Sequence, residues 1–260
     1  MKRLIVSGSV VLFMFLCSIT ITSAENNSVK VAFIRHHNLW IKVEGKEKQL
    51  TKGENITGPK WSHDGEWLAY VKGKKQNILE LYRLKDGKKV TPFHSEASNY
   101  QWAPSKNILA YIEGSGRVAL ENKHLKVKEL PALQQNIFTP KGYVDWDFVW
   151  KNDRVIIVSR AKEAGIETPP EKRPLPSLYE VDSTSNAQHQ ITKKKNKQGD
   201  YHPIFMKKSN QLIWIRSDRK KADVWLAHKD GKQEKKWIEN IDVPAWYYEK
   251  WNWENVISVK

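Results

Sequence analysis

An aromatic residue, a polar turn and a short apolar strand recur in that order along this chain. The copies are headed by Trp61, Trp102, Trp150, Phe205 and Trp251, at intervals of 41, 48, 55 and 46 residues. The fullest copy reads Trp61-Ser62-His63-Asp64-Gly65-Glu66-Trp67-Leu68-Ala69-Tyr70-Val71. Trp102-Ala103-Pro104-Ser105 leads into Leu109-Ala110-Tyr111-Ile112, and Phe205 leads into Leu212-Ile213-Trp214-Ile215. Trp150 leads into Val155-Ile156-Ile157-Val158 across a shorter turn. A repeat of this length built from short strands is the mark of a β-propeller blade. It constrains fold strongly and function hardly at all, because propellers host many unrelated activities.

Between the marker aromatics the chain reads as strand throughout. Leu39-Trp40-Ile41-Lys42-Val43, Ile78-Leu79-Glu80-Leu81-Tyr82-Arg83, Leu178-Tyr179-Glu180-Val181 and Asp223-Val224-Trp225-Leu226 are rich in β-branched and aromatic residues. Val43-Glu44-Gly45, Lys85-Asp86-Gly87 and Lys229-Asp230-Gly231 are tight-hairpin signals. Each repeat therefore resolves into four strands: A ending at the marker, B of the Leu-Ala-Tyr-Val type, C of the Leu-Tyr-x-Val type, and D ending near Leu-Thr. Full sets are predicted at about 57–92, 98–130, 143–192 and 201–238. The N-terminus supplies B, C and D alone. The C-terminus supplies A (245–251) and B (256–259), so joining the ends closes an all-β ring of five four-stranded antiparallel blades. Six blades, one incomplete, is the alternative.

The run Pro59-Lys60-Trp61-Ser62-His63-Asp64-Gly65 followed by Leu68-Ala69-Tyr70 resembles the blade of TolB-type, WD-repeat-like propellers, Pro-x-Trp-Ser-Pro-Asp-Gly before an Ile-Ala-Phe strand. Trp102-Ala103-Pro104-Ser105 and Pro203-Ile204-Phe205 are weaker copies, so at repeat level the resemblance covers most of the chain. That family includes a periplasmic protein of the Tol–Pal system and propellers attached to serine peptidases. The resemblance implies a propeller that binds through one face or its central channel. This chain departs from the Tol–Pal protein in lacking the α/β domain ahead of the propeller, and it has no Gly-x-Ser-x-Gly elbow.

Residues 1–24 read as a secretory signal peptide: Lys2 and Arg3, an apolar stretch from Leu4 to Cys17, and a small-residue cleavage site at Thr22-Ser23-Ala24. The expected product is one propeller domain over 25–260, secreted or held in the cell envelope, with no transmembrane segment after cleavage. It carries no cysteine, and a chain of that length buries a core without disulfides. Its net charge is +15, or +13 without Lys2 and Arg3. Outside the cytoplasm such a charge points to a partner protein or an anionic envelope polymer rather than to nucleic acid.

Up-and-down blades place the B–C and D–A loops at one end of the ring, and most of the excess lysine falls there. Lys72, Lys74, Lys75, Lys193, Lys194, Lys195, Lys197 and Lys220 are the candidate binding residues. The leading expectation is a monomeric, non-enzymatic docking module. The alternative is a glycan hydrolase or lyase using Asp145 and Asp147 in the channel. Strict alternation along Val144-Asp145-Trp146-Asp147-Phe148-Val149-Trp150 would put the two carboxylates on one face, about 7 Å apart. No cofactor is expected. No metal is expected either, because His36-His37 and His63-Asp64 have no third ligand at a recognisable spacing.

Overall fold

The computed structural model describes residues 30–73, 78–91, 97–114, 123–130, 135–165, 167–193, 197–244, 246–247 and 250–259. It is an all-β propeller. Strands β1 (Val31–Arg35), β2 (Asn38–Val43) and β3 (Lys46–Gln49) form a three-stranded N-terminal blade. Four complete blades follow. They are β4 (Ile56–Trp61) with β5 (Trp67–Lys72), β6 (Ile78–Arg83) and β7 (Lys89–Val90); β8 (Ala97–Trp102) with β9 (Ile108–Glu113), β10 (His124–Glu129) and β11 (Gln135–Ile137); β12 (Tyr143–Trp150) with β13 (Val155–Lys162), β14 (Ser177–Asp182) and β15 (Gln188–Gln190); and β16 (Gly199–Met206) with β17 (Gln211–Ser217), β18 (Ala222–His228) and β19 (Lys235–Ile241). In each, the strands pair antiparallel in chain order. We call the complete blades I to IV.

The B strands of the four complete blades are buried on both faces, between neighbouring blades or, in blade IV, also beneath the C-terminal segment, so they read as continuous apolar runs. Their alternate residues divide between the neighbours. Leu68 and Tyr70 pack with Leu39 and Ile41 of the N-terminal blade, while Ala69 and Val71 pack with Leu109 and Tyr111 of blade II. Ala110 and Ile112 then meet Ile156 and Val158 of blade III, and Ile157 meets Leu212 and Trp214 of blade IV. A one-residue slip in any B strand would exchange these two faces, which holds the register.

One hydrogen bond marks the same place in three blades. A threonine after strand D accepts from the amide of a strand C leucine: Leu39 N to Thr51 Oγ1 at 2.8 Å, Leu125 N to Thr139 Oγ1 at 2.6 Å, and Leu178 N to Thr192 Oγ1 at 2.8 Å. It identifies β2 as a C strand and hence β1 as a B strand. Among the described residues the N-terminal blade therefore has no strand A. The marker tryptophans latch neighbouring blades: Trp102 Nε1 donates to Lys60 O at 2.9 Å, and Trp150 Nε1 donates to Gln101 O at 3.1 Å. Each donor thus meets the carbonyl just before the preceding blade's marker.

Three expectations change. The outer strand of blade II is Gln135–Ile137, inside what the sequence suggests is a loop. The C-terminal segment does not form strands A and B of a closing blade among the described residues. Instead β20 (Trp246–Tyr247) pairs with β21 (Lys250–Trp251), and a 3-10 turn follows at Trp253–Asn255. Ile257 and Val259 pack over Ile213, Val224 and Leu226, covering the far face of blade IV. The β-branched run 256–259 is therefore a cover, not a strand.

Candidate functional site

The inner strand of every complete blade is kinked at the same point. The register slips between Thr57 and Lys60, Ser98 and Tyr100, Asp145 and Asp147, and Tyr201 and Ile204. Gly58, Asn99, Asp147 and His202 lie at these bulges, each three residues before its marker aromatic. Gly58, Asn99 and His202 have φ of 60°, 47° and 49°. Gly58 is required there: a Cβ would lie 2.5 Å from the Tyr100 hydroxyl, which itself donates to Gly58 O. Bulges turn side chains out of simple alternation and recur beside functional sites.

The bulge in β12 overturns the expected alternation. Trp146 does not join Phe148 and Trp150 between blades II and III but packs beside Tyr201, Ile215, Ala222 and Trp253. The two aspartates separate with it. Asp145 is fully buried and accepts from Arg160 Nε at 2.5 Å, Arg160 Nη2 at 2.8 Å, Thr139 Oγ1 at 2.5 Å and Leu125 N at 3.3 Å. Both oxygens of that carboxylate accept hydrogen bonds, so it has a structural partner set. The same cross-strand pair recurs in blade IV, where Arg216 Nε donates to Asp200 Oδ1 at 2.7 Å.

Asp147 has a different setting. The His202 amide donates to it across the junction of blades III and IV, and Lys123, the His202 side chain and Glu254 act on it through space. Burial raises its pKa; His202 and Lys123 oppose that shift, and Glu254 adds to it. Glu254 also acts on Lys60, whose ammonium donates to Tyr100 O at 2.8 Å and lies 4.8 Å from the Tyr100 ring centre. Partial burial pulls the pKa of Lys60 below the lysine range, and Glu254 opposes that shift. Trp253 anchors the C-terminal turn, 2% exposed, with its ring 5.9 Å from that of Tyr201. Asp147 and His202 of the inner strands, Glu254 of this turn and Lys123, just before β10, thus act on one another, with Lys60 linked to them through Glu254. Among the described residues no three His, Cys, Asp or Glu side chains come together as a metal site.

Asn stands in for the neutral acid at position 147. A raised pKa means that the acid's contribution to stability is present at low pH and fades as pH rises through the folded value. Asp147→Asn is therefore expected to melt with the native chain near pH 4 and to melt higher at pH 8. Each 1 kcal/mol is worth about 2–4 °C in a chain of this size. Parallel melting curves across that range by circular dichroism check it, and a variant less stable at pH 8 than at pH 4, relative to the native chain, contradicts it.

The lysines of the loop end sort into two groups. Lys193, Lys197 and Lys220 are exposed. Lys72 is bound inward to Glu80 at 2.5 Å. Lys74, Lys75, Lys194 and Lys195 lie outside the described residues. The loops themselves are fastened. Arg219 donates to Pro170 O at 2.6 Å and Arg173 O at 3.3 Å, tying the B–C loops of blades III and IV together. Asp218 accepts from the amides of Lys220 and Lys221 at 2.9 and 2.8 Å, and Asp200 N donates to Pro176 O at 2.9 Å. Glu167 and Glu171 share this end, where lysine and arginine outnumber the acids.

Taken together, the sheets define a five-bladed β-propeller whose first blade shows three strands among the described residues and whose inner strands contribute to a charged cluster. Its structural neighbours are TolB-like propellers. The chain is similar to a TolB structure from Agrobacterium tumefaciens, with a TM-score of 0.52 and 12% identity over 80% of this chain and 76% of that one. It is also similar to dipeptidyl peptidase 4 of Porphyromonas gingivalis, with a TM-score of 0.58 and 14% identity over 82% of this chain and 38% of that one. A puromycin-hydrolyzing peptidase of Mycobacterium tuberculosis gives a TM-score of 0.57 at 10% identity, over 84% and 37% of the two chains. This chain thus spans less than two fifths of either peptidase. No protein-family model and no curated sequence matches it. At these identities the likeness is one of fold.

Proposed function

We propose that this propeller is an exported docking module that binds an anionic partner, either an acidic protein surface or an envelope polymer, on the loop end carrying Lys193, Lys197 and Lys220. The observation that supports this reading most directly is the fastening of that end by Arg219. Lys220, on one of these tied loops, presents its charge at a low ordering cost. The burial of Asp145 against Arg160 favours binding over two-carboxylate chemistry. Among the described residues no helix is long and apolar enough to cross a membrane, and residues 1–24 are read as the export signal.

The test is binding of the purified chain to isolated envelope fractions and to poly-glutamate over a salt series, beside a Lys193→Gln, Lys197→Gln, Lys220→Gln variant. Affinity is expected to fall with salt and to drop roughly tenfold in the variant, on the scale of a few tenths to 1 kcal/mol per exposed charge. Binding absent at low salt, or unchanged in the variant, would overturn the reading. The glycan hydrolase or lyase alternative draws support from Asp147 alone, a carboxyl with a raised pKa beside His202. Release of new sugar ends from an acidic polysaccharide, abolished by Asp147→Asn, would favour it.

A further inference from the structure

Among the described residues the N-terminal blade has strands B, C and D only, and three observations mark its open inner side. First, β1 pairs with β2 alone among the described residues, so its inner edge carries no ladder. Second, the face of β1 that the other blades bury against the blade before them is bare. The alignment set by the Leu–Thr hydrogen bond places Val31 in register with Leu68, Leu109 and Ile156, the residues paired with markers Trp61, Trp102 and Trp150. Those three are fully buried, whereas Val31 is 43% exposed.

Third, a buried donor is left over. Trp102 and Trp150 each give their indole N–H to the carbonyl preceding the marker in the blade before them. Trp61 points the same way, packing with Ala32, Leu39 and Ile41 of the N-terminal blade, but its buried Nε1 has no hydrogen-bond partner. The acceptor it lacks would come from the residue opposite Ala32. In blades I and II that residue faces Ala69 and Ala110, and it is the one whose carbonyl takes the latch. A buried indole N–H without an acceptor is costly, so the vacancy has a definite shape.

We propose that the open edge of β1 is a strand-acceptor site for an extended segment of a partner protein. That segment would pair antiparallel with β1, set an aromatic side chain opposite Val31, and offer the carbonyl of the preceding residue to Trp61 Nε1. The aromatic requirement comes from the four complete blades, each of which has Trp or Phe at that place. An external occupant is favoured because the chain's own C-terminal residues are held elsewhere. β20 is paired with β21, Trp253 is buried against Tyr201, and Ile257 and Val259 cover blade IV. This is strand addition, in which main-chain bonds give affinity and one side-chain pocket gives specificity. It is independent of docking on the lysine-rich end.

The probe is a fluorescein-labelled peptide of sequence Gly-Asp-Tyr-His-Pro-Ile-Phe-Met, which copies the inner strand of blade IV. Its binding to the full chain is followed by polarisation, and the amide exchange of β1 by NMR. Saturable binding is expected, with slowed exchange of β1 edge amides. Trp61→Phe, which keeps a ring but removes the N–H, should weaken binding about fivefold, the worth of one hydrogen bond. Val31→Lys should weaken it further by placing a charge on the edge, as should a peptide with Ser for Phe. The Lys193→Gln, Lys197→Gln, Lys220→Gln variant should bind the peptide as the native chain does, so failure of one reading is distinguishable from failure of the other. Absence of binding, or binding indifferent to both Trp61→Phe and Val31→Lys, overturns the proposal. Binding seen only after Trp251→Ala overturns it in favour of the chain's own C-terminus as the occupant.

Discussion

Arg160→Met is expected to lower the melting temperature by roughly 10 °C, the equivalent of about 3–5 kcal/mol for a buried ion pair that loses one partner. The Arg160 side chain is 1% exposed and that of Asp145 is fully buried. The guanidinium makes two bonds to the carboxylate and a third, at 3.0 Å, to Phe138 O, and it also binds Gln188. Methionine fills much of the space but leaves a carboxylate in apolar surroundings with only Thr139 and the Leu125 amide as donors. Adding Asp145→Asn should restore most of the loss, because the cost lies in the uncompensated charge. Near-ultraviolet circular dichroism melts at neutral pH decide this. A single variant within about 2 °C of the native chain would mean that water or a neighbour replaces the guanidinium, and the site is less dry than its geometry implies.

Trp214→Ala should cost about 3–5 kcal/mol, the range for truncating a large aromatic in a packed core. Trp214 is fully buried at the junction of blades III and IV. Its ring stacks on Trp225 at 6.4 Å, and the Arg216 guanidinium sits 5.5 Å from the ring of Trp214 and 4.4 Å from that of Trp225. Its indole N–H donates to Asp200 Oδ1 at 2.9 Å, the same oxygen that Arg216 Nε binds. Trp214→Phe separates the two contributions, since it keeps most of the packing and removes only the donor. That variant should lose about 1–3 kcal/mol. Urea titrations give both differences from the shift in midpoint, and equal losses in the two variants would show that the hydrogen bond rather than the volume matters.

The marker aromatics are legible in the sequence because their role demands one residue type: a large ring that closes the blade junction and, in Trp102 and Trp150, donates a latch. The bulges were not legible. Gly58, Asn99, Asp147 and His202 share no chemistry, only a constant offset of three residues from the marker, and that offset is the signal that finds them. Missing it made Asp145 and Asp147 look like neighbours on one face. The excess of lysine in these loop segments is readable from composition, but the inward pairing of Lys72 with Glu80 is not, since the two are on different strands of blade I. The apolar run at 256–259 satisfies strand composition while serving as a cover, a distinction that depends on what it faces. The polar Gln135-Asn136-Ile137 stretch is an outer strand for the opposite reason: an outer strand has one paired edge and needs little apolar surface.

The tryptophan latches run in one direction only. Trp102 and Trp150 reach back to carbonyls that precede them in the chain, never forward. A blade made later therefore supplies the donor, and the blade made earlier supplies an acceptor that is already in place. Such a ring lends itself to assembly in the order of synthesis, each new unit docking on a finished template. The N-terminal unit, β1 to β3, offers no inner-strand carbonyl among the described residues, and the indole of Trp61, in the unit after it, is left without an acceptor.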